Sequence, residues 1–159
     1  MFRGGVLVIS DRRWRGEGSD QSGKVACEYV GQLGISVAKY AMVPDEVEMI
    51  SATLRQWVDV EGLDLIVTSG GTGLAARDVT PEATMAVVER VIPGLTEAMR
   101  VMMAKTKPEA LLSRAVAGSR GKCLIINLPG SPAAVKECLE IILPAIPHAM
   151  EILSGRGHE

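Results

Sequence analysis

An α/β fold built on a mostly parallel central sheet is the class this sequence predicts, and three observations carry the prediction. Short runs rich in Val and Ile alternate with longer segments of helical period, the signature of repeated βαβ units. The apolar runs at residues 6–9, 36–43, 65–68 and 124–127 have strand length. At 159 residues the chain can bury roughly 70% of its unfolded surface, enough for one substantial core, and no repeat, linker or low-complexity stretch divides residues 1–159.

Taken in order, the first run, "VLVI", leads into the polar stretch "SDRRWRGEGSDQSG". Asp20 then stands near the start of a helix carrying Val25, Tyr29 and Leu33. After the strand at 36–43, Val47, Ile50, Leu54, Trp57 and Val58 share one helix face, which is expected to meet the sheet. Past the strand at 65–68, "VTPEAT" spells a helix start, with Thr80 at the N-cap, Pro81 at the first helical position and Glu82 near the positive end of the dipole. A short strand at 115–118 would pair with that at 124–127 through the turn residues "GSRGK". The last segment places Val135, Cys138, Leu139, Ile142, Ile146, Met150 and Leu153 on a helical stripe. Pro144 and Pro147 interrupt it, and an interior proline costs about 3 kcal/mol or more, so a kink or a break is expected near Leu143.

Composition narrows the function classes. Seventeen basic against nineteen acidic residues give no field that would attract nucleic acid or an acidic membrane. Cys27, Cys123 and Cys138 stand singly in apolar-periodic segments, which predicts buried reduced thiols and a reducing compartment. The N-terminus lacks signal-peptide character, and "LEIILPAIPHAMEIL" is too short and too interrupted to span a bilayer. A soluble cytoplasmic protein is the expectation. His148 and His158 occupy the C-terminal segment and tail, where neither suits a catalytic base, and no His/Cys cluster has zinc spacing.

The polar residues are informative by position. All four strand runs end, at their carboxyl side, in polar stretches: "SDRRWRGEG", "PDE", "SGGTG" and "LPGSP". In an open parallel sheet those ends share one edge, where ligands bind. Gly70, Gly71 and Gly73 suit both a plain tight turn and a backbone cradle for phosphate; the loop is neither a P-loop nor a dinucleotide fingerprint. Asp45 reads as a helix cap or a ligand carboxylate, Asp11 as a turn residue or a ligand carboxylate, and Asp78 has no evident structural duty. Carboxylates beside a phosphate-capable loop suit a Mg²⁺–nucleotide site. Arg12, Arg13, Arg114, Arg120 and Lys122 read as solvated side chains, and Arg77, beside Asp78, as a ligand contact.

The segments "VLVISDR", "GSDQSG", "VPDEVEMI", "DLIVTSGGTGLAARDVTPEAT", "PGLTEAMR", "LLSRAVAG" and "LIINLPGSPAAVKECLE" together resemble the molybdopterin adenylyltransferases of the MogA/MoaB type, similar to the G domains of plant and animal molybdenum-cofactor proteins. Only "RRWRGEG" and Pro147 depart from that pattern. The resemblance implies a three-layer α/β sandwich, a homotrimer, and Mg²⁺- and ATP-dependent adenylylation of molybdopterin with release of pyrophosphate. It also implies hand-over of the product to a molybdenum-insertion protein. A non-catalytic molybdopterin-binding or scaffold protein of the same fold is the alternative. Asp45 and Asp78 would be the two essential aspartates, with Mg²⁺ near both. Ser10, Asp11, Ser69, Gly70, Gly71, Thr72 and Gly73 would line the nucleotide and pterin pocket, and Ser113, Pro129, Gly130, Ser131 and Pro132 would help hold the pterin.

Overall fold

A computed structural model describes residues 1–156; His158 lies outside the described residues. Strands β1 (Arg3–Ile9), β2 (Ser36–Val43), β3 (Leu65–Ser69), β4 (Arg90–Val91), β5 (Ala117–Arg120) and β6 (Cys123–Leu128) form one sheet in the order β2-β1-β3-β6-β5-β4. The first four of that order run parallel, and β5 is antiparallel to both of its neighbours. The four expected main strands are present, each within a few residues of its expected bounds. The short strand is also present, shifted by two residues, and pairs with β6 through a turn at Gly121, whose φ is +56°. The two-residue β4 carries no alternation of its own and had no signal in the sequence.

Successive side chains of the inner strands feed opposite faces. Val6, Val67 and Ile126 pair in one row and face helices α2 (Gln21–Gln32), α5 (Pro93–Ala104), α6 (Pro132–Ile142) and α7 (Ile146–Leu153). Leu7, Ile66 and Ile125 face the other way, against Ile50, Leu54 and Trp57 of α3 (Val47–Asp59) and Ala83 of α4 (Thr80–Met85). Two helical layers therefore cover a sheet buried on both sides, which is why its inner strands are continuous apolar runs. Each Leu or Ile so buried contributes about 1.5–3 kcal/mol.

Three local expectations are corrected. Val47 stays 37% exposed at the start of α3, while the rest of that face is buried or partly buried. Thr80 is already inside α4: Val79 is the cap, and the Thr80 hydroxyl donates instead to the Gly70 carbonyl at 2.9 Å. Cys27 is half-buried, whereas Cys123 and Cys138 are buried; all three are free thiols. Burial pushes the Cys138 thiol up to about 12, which keeps it protonated. The proline break falls as expected, with α6 ending at Ile142, a 3₁₀ turn over Leu143–Ala145, and α7 beginning at Ile146. No helix among the described residues is long and apolar enough to cross a membrane.

Candidate functional site

Strand β1 lies between β2 and β3, so the chain leaves it toward one edge of the sheet and later returns on its other side. The helices that follow β1 and β2 accordingly pack on opposite faces, α2 on one and α3 on the other. That reversal opens a crevice at the carboxyl ends of β1 and β3, the place where open α/β sheets bind ligands. Into it run the loops at 10–20, 44–46, 69–79 and 129–131.

The glycine loop is fixed by close backbone approach. Gly70 has φ +104°, and a Cβ there would collide with the carbonyl oxygen of Ile9. Its N–H donates to Leu128 O at 3.1 Å, and the Ser69 hydroxyl donates to Pro129 O at 2.9 Å, stitching β3's loop to β6's. Gly71 has φ +69°, and its missing Cβ leaves room for the Thr80 hydroxyl and for Asp45 Oδ1, 3.1 Å from where that Cβ would stand. Among the described residues, the N–H groups of Gly71, Thr72 and Gly73 donate to no protein acceptor. Successive free N–H groups in a turn make an anion-binding concavity.

Arg114 closes this loop from behind. Its main-chain N–H donates to Thr72 O at 2.8 Å, Nε to Gly73 O at 2.8 Å, Nη2 to Asp78 O at 2.6 Å and Nη1 to Glu82 Oε2 at 2.7 Å. Arg114 is thus a brace and not a solvated side chain, and its position directly after Ser113 in "LLSR" is the one signal that could have found it. Arg120 is likewise tied down, to Asp59 at 3.0 and 2.8 Å and to Val87 O at 3.0 Å.

The carboxylates form a connected set. Asp11 opens the short helix α1 (Asp11–Trp14), whose N-cap is Ser10. Asp45 is not the cap of α3, a position held by Glu46; instead its Oδ2 accepts the Asp11 N–H at 3.0 Å while its own N–H donates to Asp11 Oδ1 at 3.0 Å. Arg77 does not pair with its neighbour Asp78: it donates from Nε and Nη2 to the Asp11 carboxylate at 3.0 and 2.9 Å. That guanidinium holds the Asp11 carboxyl below its ordinary value. Burial pushes the Asp45 carboxyl up, with the charges of Asp11 and Asp78 adding to the shift. Asp78 does have a structural duty, since its Oδ2 accepts the Ala75 N–H at 3.0 Å. Asp20, as expected near a helix start, caps α2 by accepting the Gly23 N–H at 2.9 Å.

Two cavities result. A polar one of about 280 Å³ brings together Ser10, Asp45, Ser69, Gly70, Gly71, Asp78 and Gly130 from the candidate set, and adds Arg12, Arg13 and Ser22. A larger, mainly apolar one of about 350 Å³ takes Thr72, Gly73, Ser113, Pro129 and Ser131, and adds Met99, Arg100, Met103, Lys107 and Cys138. The loops at 69–73 and 129–131 contribute to both and form the wall between them. Asp11 lines neither cavity and is hydrogen-bonded to Asp45, which lines the polar one, and Pro132 lines neither, being the exposed first residue of α6. Cys138 read only as a buried thiol, and Met99 and Met103 carried no site signal, because a cavity floor and a core share the same helical stripe.

With this geometry in hand, comparison with known proteins is direct. A family model described as "Probable molybdopterin binding domain" matches residues 5–148. The molybdopterin adenylyltransferase of Helicobacter pylori strain J99 is 44% identical over 153 residues, which is 95% of this chain and 87% of that protein. The crystal structure of the molybdopterin biosynthesis enzyme MoaB from Thermus thermophilus superposes with a TM-score of 0.93 at 50% identity, over 100% of both chains. The molybdopterin biosynthesis Mog protein from Mycobacterium ulcerans gives a TM-score of 0.91 at 36% identity, over 96% of this chain and 99% of that one. Motifs, fold and relatives agree, and the chain belongs to the MogA/MoaB-type family of molybdopterin-binding and adenylyltransferase proteins, with a family role in molybdenum cofactor biosynthesis.

Proposed function

We propose that this chain is a molybdopterin adenylyltransferase that uses Mg²⁺ and ATP. The observation that carries the reading is the pair of cavities sharing one wall, a polar one holding Asp45 and Asp78 and an apolar one holding Ser113. A nucleotide triphosphate suits the first and a pterin the second, so that the terminal phosphate of molybdopterin meets the α-phosphorus of ATP at the wall. A phosphate oxygen of molybdopterin forms the new bond to that phosphorus as the bond to the bridging oxygen breaks. Pyrophosphate leaves with the electron pair, and adenylyl-molybdopterin remains.

In this reading the free N–H groups of Gly71, Thr72 and Gly73 hold phosphate oxygens, and Arg114 keeps those groups aligned. Catalysis is then positioning plus electrostatic stabilisation, without a general base. The residues suit Mg²⁺. Asp45 carries a carboxyl whose charge is disfavoured by burial and by two neighbouring carboxylates, and Asp78 lines the same cavity. Mg²⁺ takes one or two carboxylates and completes its shell with water and phosphate oxygens. Asp45 and Asp78 would hold it, and it would supply charge neutralisation at the phosphates. A homotrimer, hand-over of the product to a molybdenum-insertion protein and a cytoplasmic setting complete the proposal.

The test is pyrophosphate release from ATP in the presence of molybdopterin, with and without Mg²⁺. The proposal expects release that requires all three components. Intact pterin binding without any release would instead make the chain a binding module of the same fold.

A further inference from the structure

The sheet order gives the polar cavity a direction. Along the ligand-binding edge the loops follow their strands, so the loop after β3 lies between the loop after β6 and the loop after β1. The apolar cavity sits on the β6 side of the glycine loop, with Pro129, Ser131 and Ser113, and the polar cavity extends to the β1 side, with Ser10, Arg12 and Arg13. Displacement at phosphorus is in line, with attacking and leaving oxygens on opposite sides. If the attack comes from the β6 side, the leaving pyrophosphate must extend toward the loop after β1.

Two guanidinium groups line that far wall, and they differ. Arg12 is 70% exposed and already has the Glu17 carboxylate at 3.9 Å. Arg15, next in the loop, pairs with the same Glu17 at 3.3 Å, and Arg77 is engaged with Asp11. Arg13 is half-buried, and among the described residues no carboxylate lies within ion-pairing distance of it. Its main-chain N–H is pinned to the Ser10 hydroxyl at 3.2 Å, and its Nη1 has only a long contact of 3.5 Å to the neutral Glu17 carbonyl. A half-buried guanidinium that lines a cavity, with no ion-pair partner among the described residues and most of its donors unspent, suits a multiply charged oxyanion.

We infer that Arg13 is the binding residue for the pyrophosphate portion of the nucleotide, and that it makes the site select a triphosphate over the monophosphate. This rests on the adenylyl-transfer reading and adds the orientation of the nucleotide to it. Arg13 lies in "RRWRGEG", in the loop after β1. As the bond to the α-phosphorus breaks, charge gathers on the leaving group, and the guanidinium lies where that charge appears.

Calorimetric titration of the full chain with inorganic pyrophosphate, ATP and AMP, each with Mg²⁺, tests this for wild type, Arg13→Ala and Arg13→Lys. The expected result is a loss of about tenfold in affinity for pyrophosphate and ATP in Arg13→Ala, with AMP changed by less than about twofold and a partial recovery in Arg13→Lys. The lysine variant keeps the charge and decides the matter if the alanine variant melts early. Unchanged pyrophosphate and ATP affinities in both variants, or an equal loss for AMP, overturn the role of Arg13 while leaving adenylyl transfer intact. A wild-type chain that binds none of the three overturns both.

Discussion

Asp11 and Asp45 hold each other by the same bond made twice: each donates its main-chain N–H to the other's carboxylate at 3.0 Å. The exchange locks the loop after β1 to the loop after β2, although it sets two carboxylates side by side. Arg77 relieves the repulsion at Asp11, and Asp45 carries the strain as a carboxyl raised above its ordinary value, chiefly by burial. Perturbed carboxyls of this kind gather at functional sites.

A stability prediction follows from the sign of that shift. A carboxyl raised in the folded state keeps its proton longer than in the unfolded chain. The contribution of Asp45 to stability therefore falls as the pH rises from the ordinary value of 3.8 through the raised value, and the penalty persists above it. Asp45→Asn keeps an acceptor for the Asp11 N–H without the charge. Thermal melts are expected to place this variant above wild type at pH 7, with the gap closing as the pH falls toward 3.8. A lower melting point at pH 7 would show that the charge is compensated in the folded chain.

The gain in stability is expected to cost activity. Asp45→Asn should lower turnover of molybdopterin and ATP by at least about tenfold, equivalent to about 1.4 kcal/mol in the barrier. Wild-type turnover together with a raised melting point would remove Asp45 from the chemistry and leave it a structural burden.

Asp78→Asn separates the turn from the reaction. The amide oxygen can still accept the Ala75 N–H, so circular dichroism and melting should stay close to wild type. Turnover should fall by at least about tenfold. If the fold and the activity are lost together, Asp78 serves the turn alone.

Much of this site was legible in the sequence because it depends on one-dimensional facts. Strand runs, their polar carboxyl ends and the parallel topology sufficed to bring Ser10, Asp45, Gly70 and Gly130 to one edge. The break near Pro144 followed from the missing N–H of proline. What stayed hidden depends on pairs far apart in the chain. Arg77 read as a ligand contact, but its guanidinium is taken by Asp11, 66 positions away. Thr80 looked like a cap because local chemistry favours Thr before Pro, yet the approach of Gly70 drew its hydroxyl away. The division into two cavities was also out of reach, because the loop at 69–73 reads as one motif although its two ends face different spaces.

The brace at Arg114 predicts a loop whose order depends on one side chain. Arg114→Lys retains the charge but cannot reach Gly73 O, Asp78 O and Glu82 at once. Hydrogen exchange should speed up over residues 71–78, and the melting point should fall, because hydrogen bonds to a charged group are lost. Unchanged exchange there would mean that the backbone of the glycine loop is self-supporting.

Gly70→Ala tests the crevice itself. A side chain there combines a left-handed backbone with collision against the Ile9 carbonyl, a strain of about 1–3 kcal/mol. Chemical denaturation should show that loss, and weaker ATP binding should accompany it. An alanine variant with wild-type stability would contradict the close packing of β1 against the glycine loop.

The central claim is that ATP and molybdopterin meet across the wall formed by the loops at 69–73 and 129–131. The most direct measurement supplies ATP labelled at the α-phosphorus in one reaction and at the γ-phosphorus in another, with Mg²⁺ and molybdopterin. The account predicts that the α-label appears on molybdopterin and the γ-label in pyrophosphate, one for one. An α-label that stays in ATP, or leaves as free AMP without marking the pterin, would contradict it.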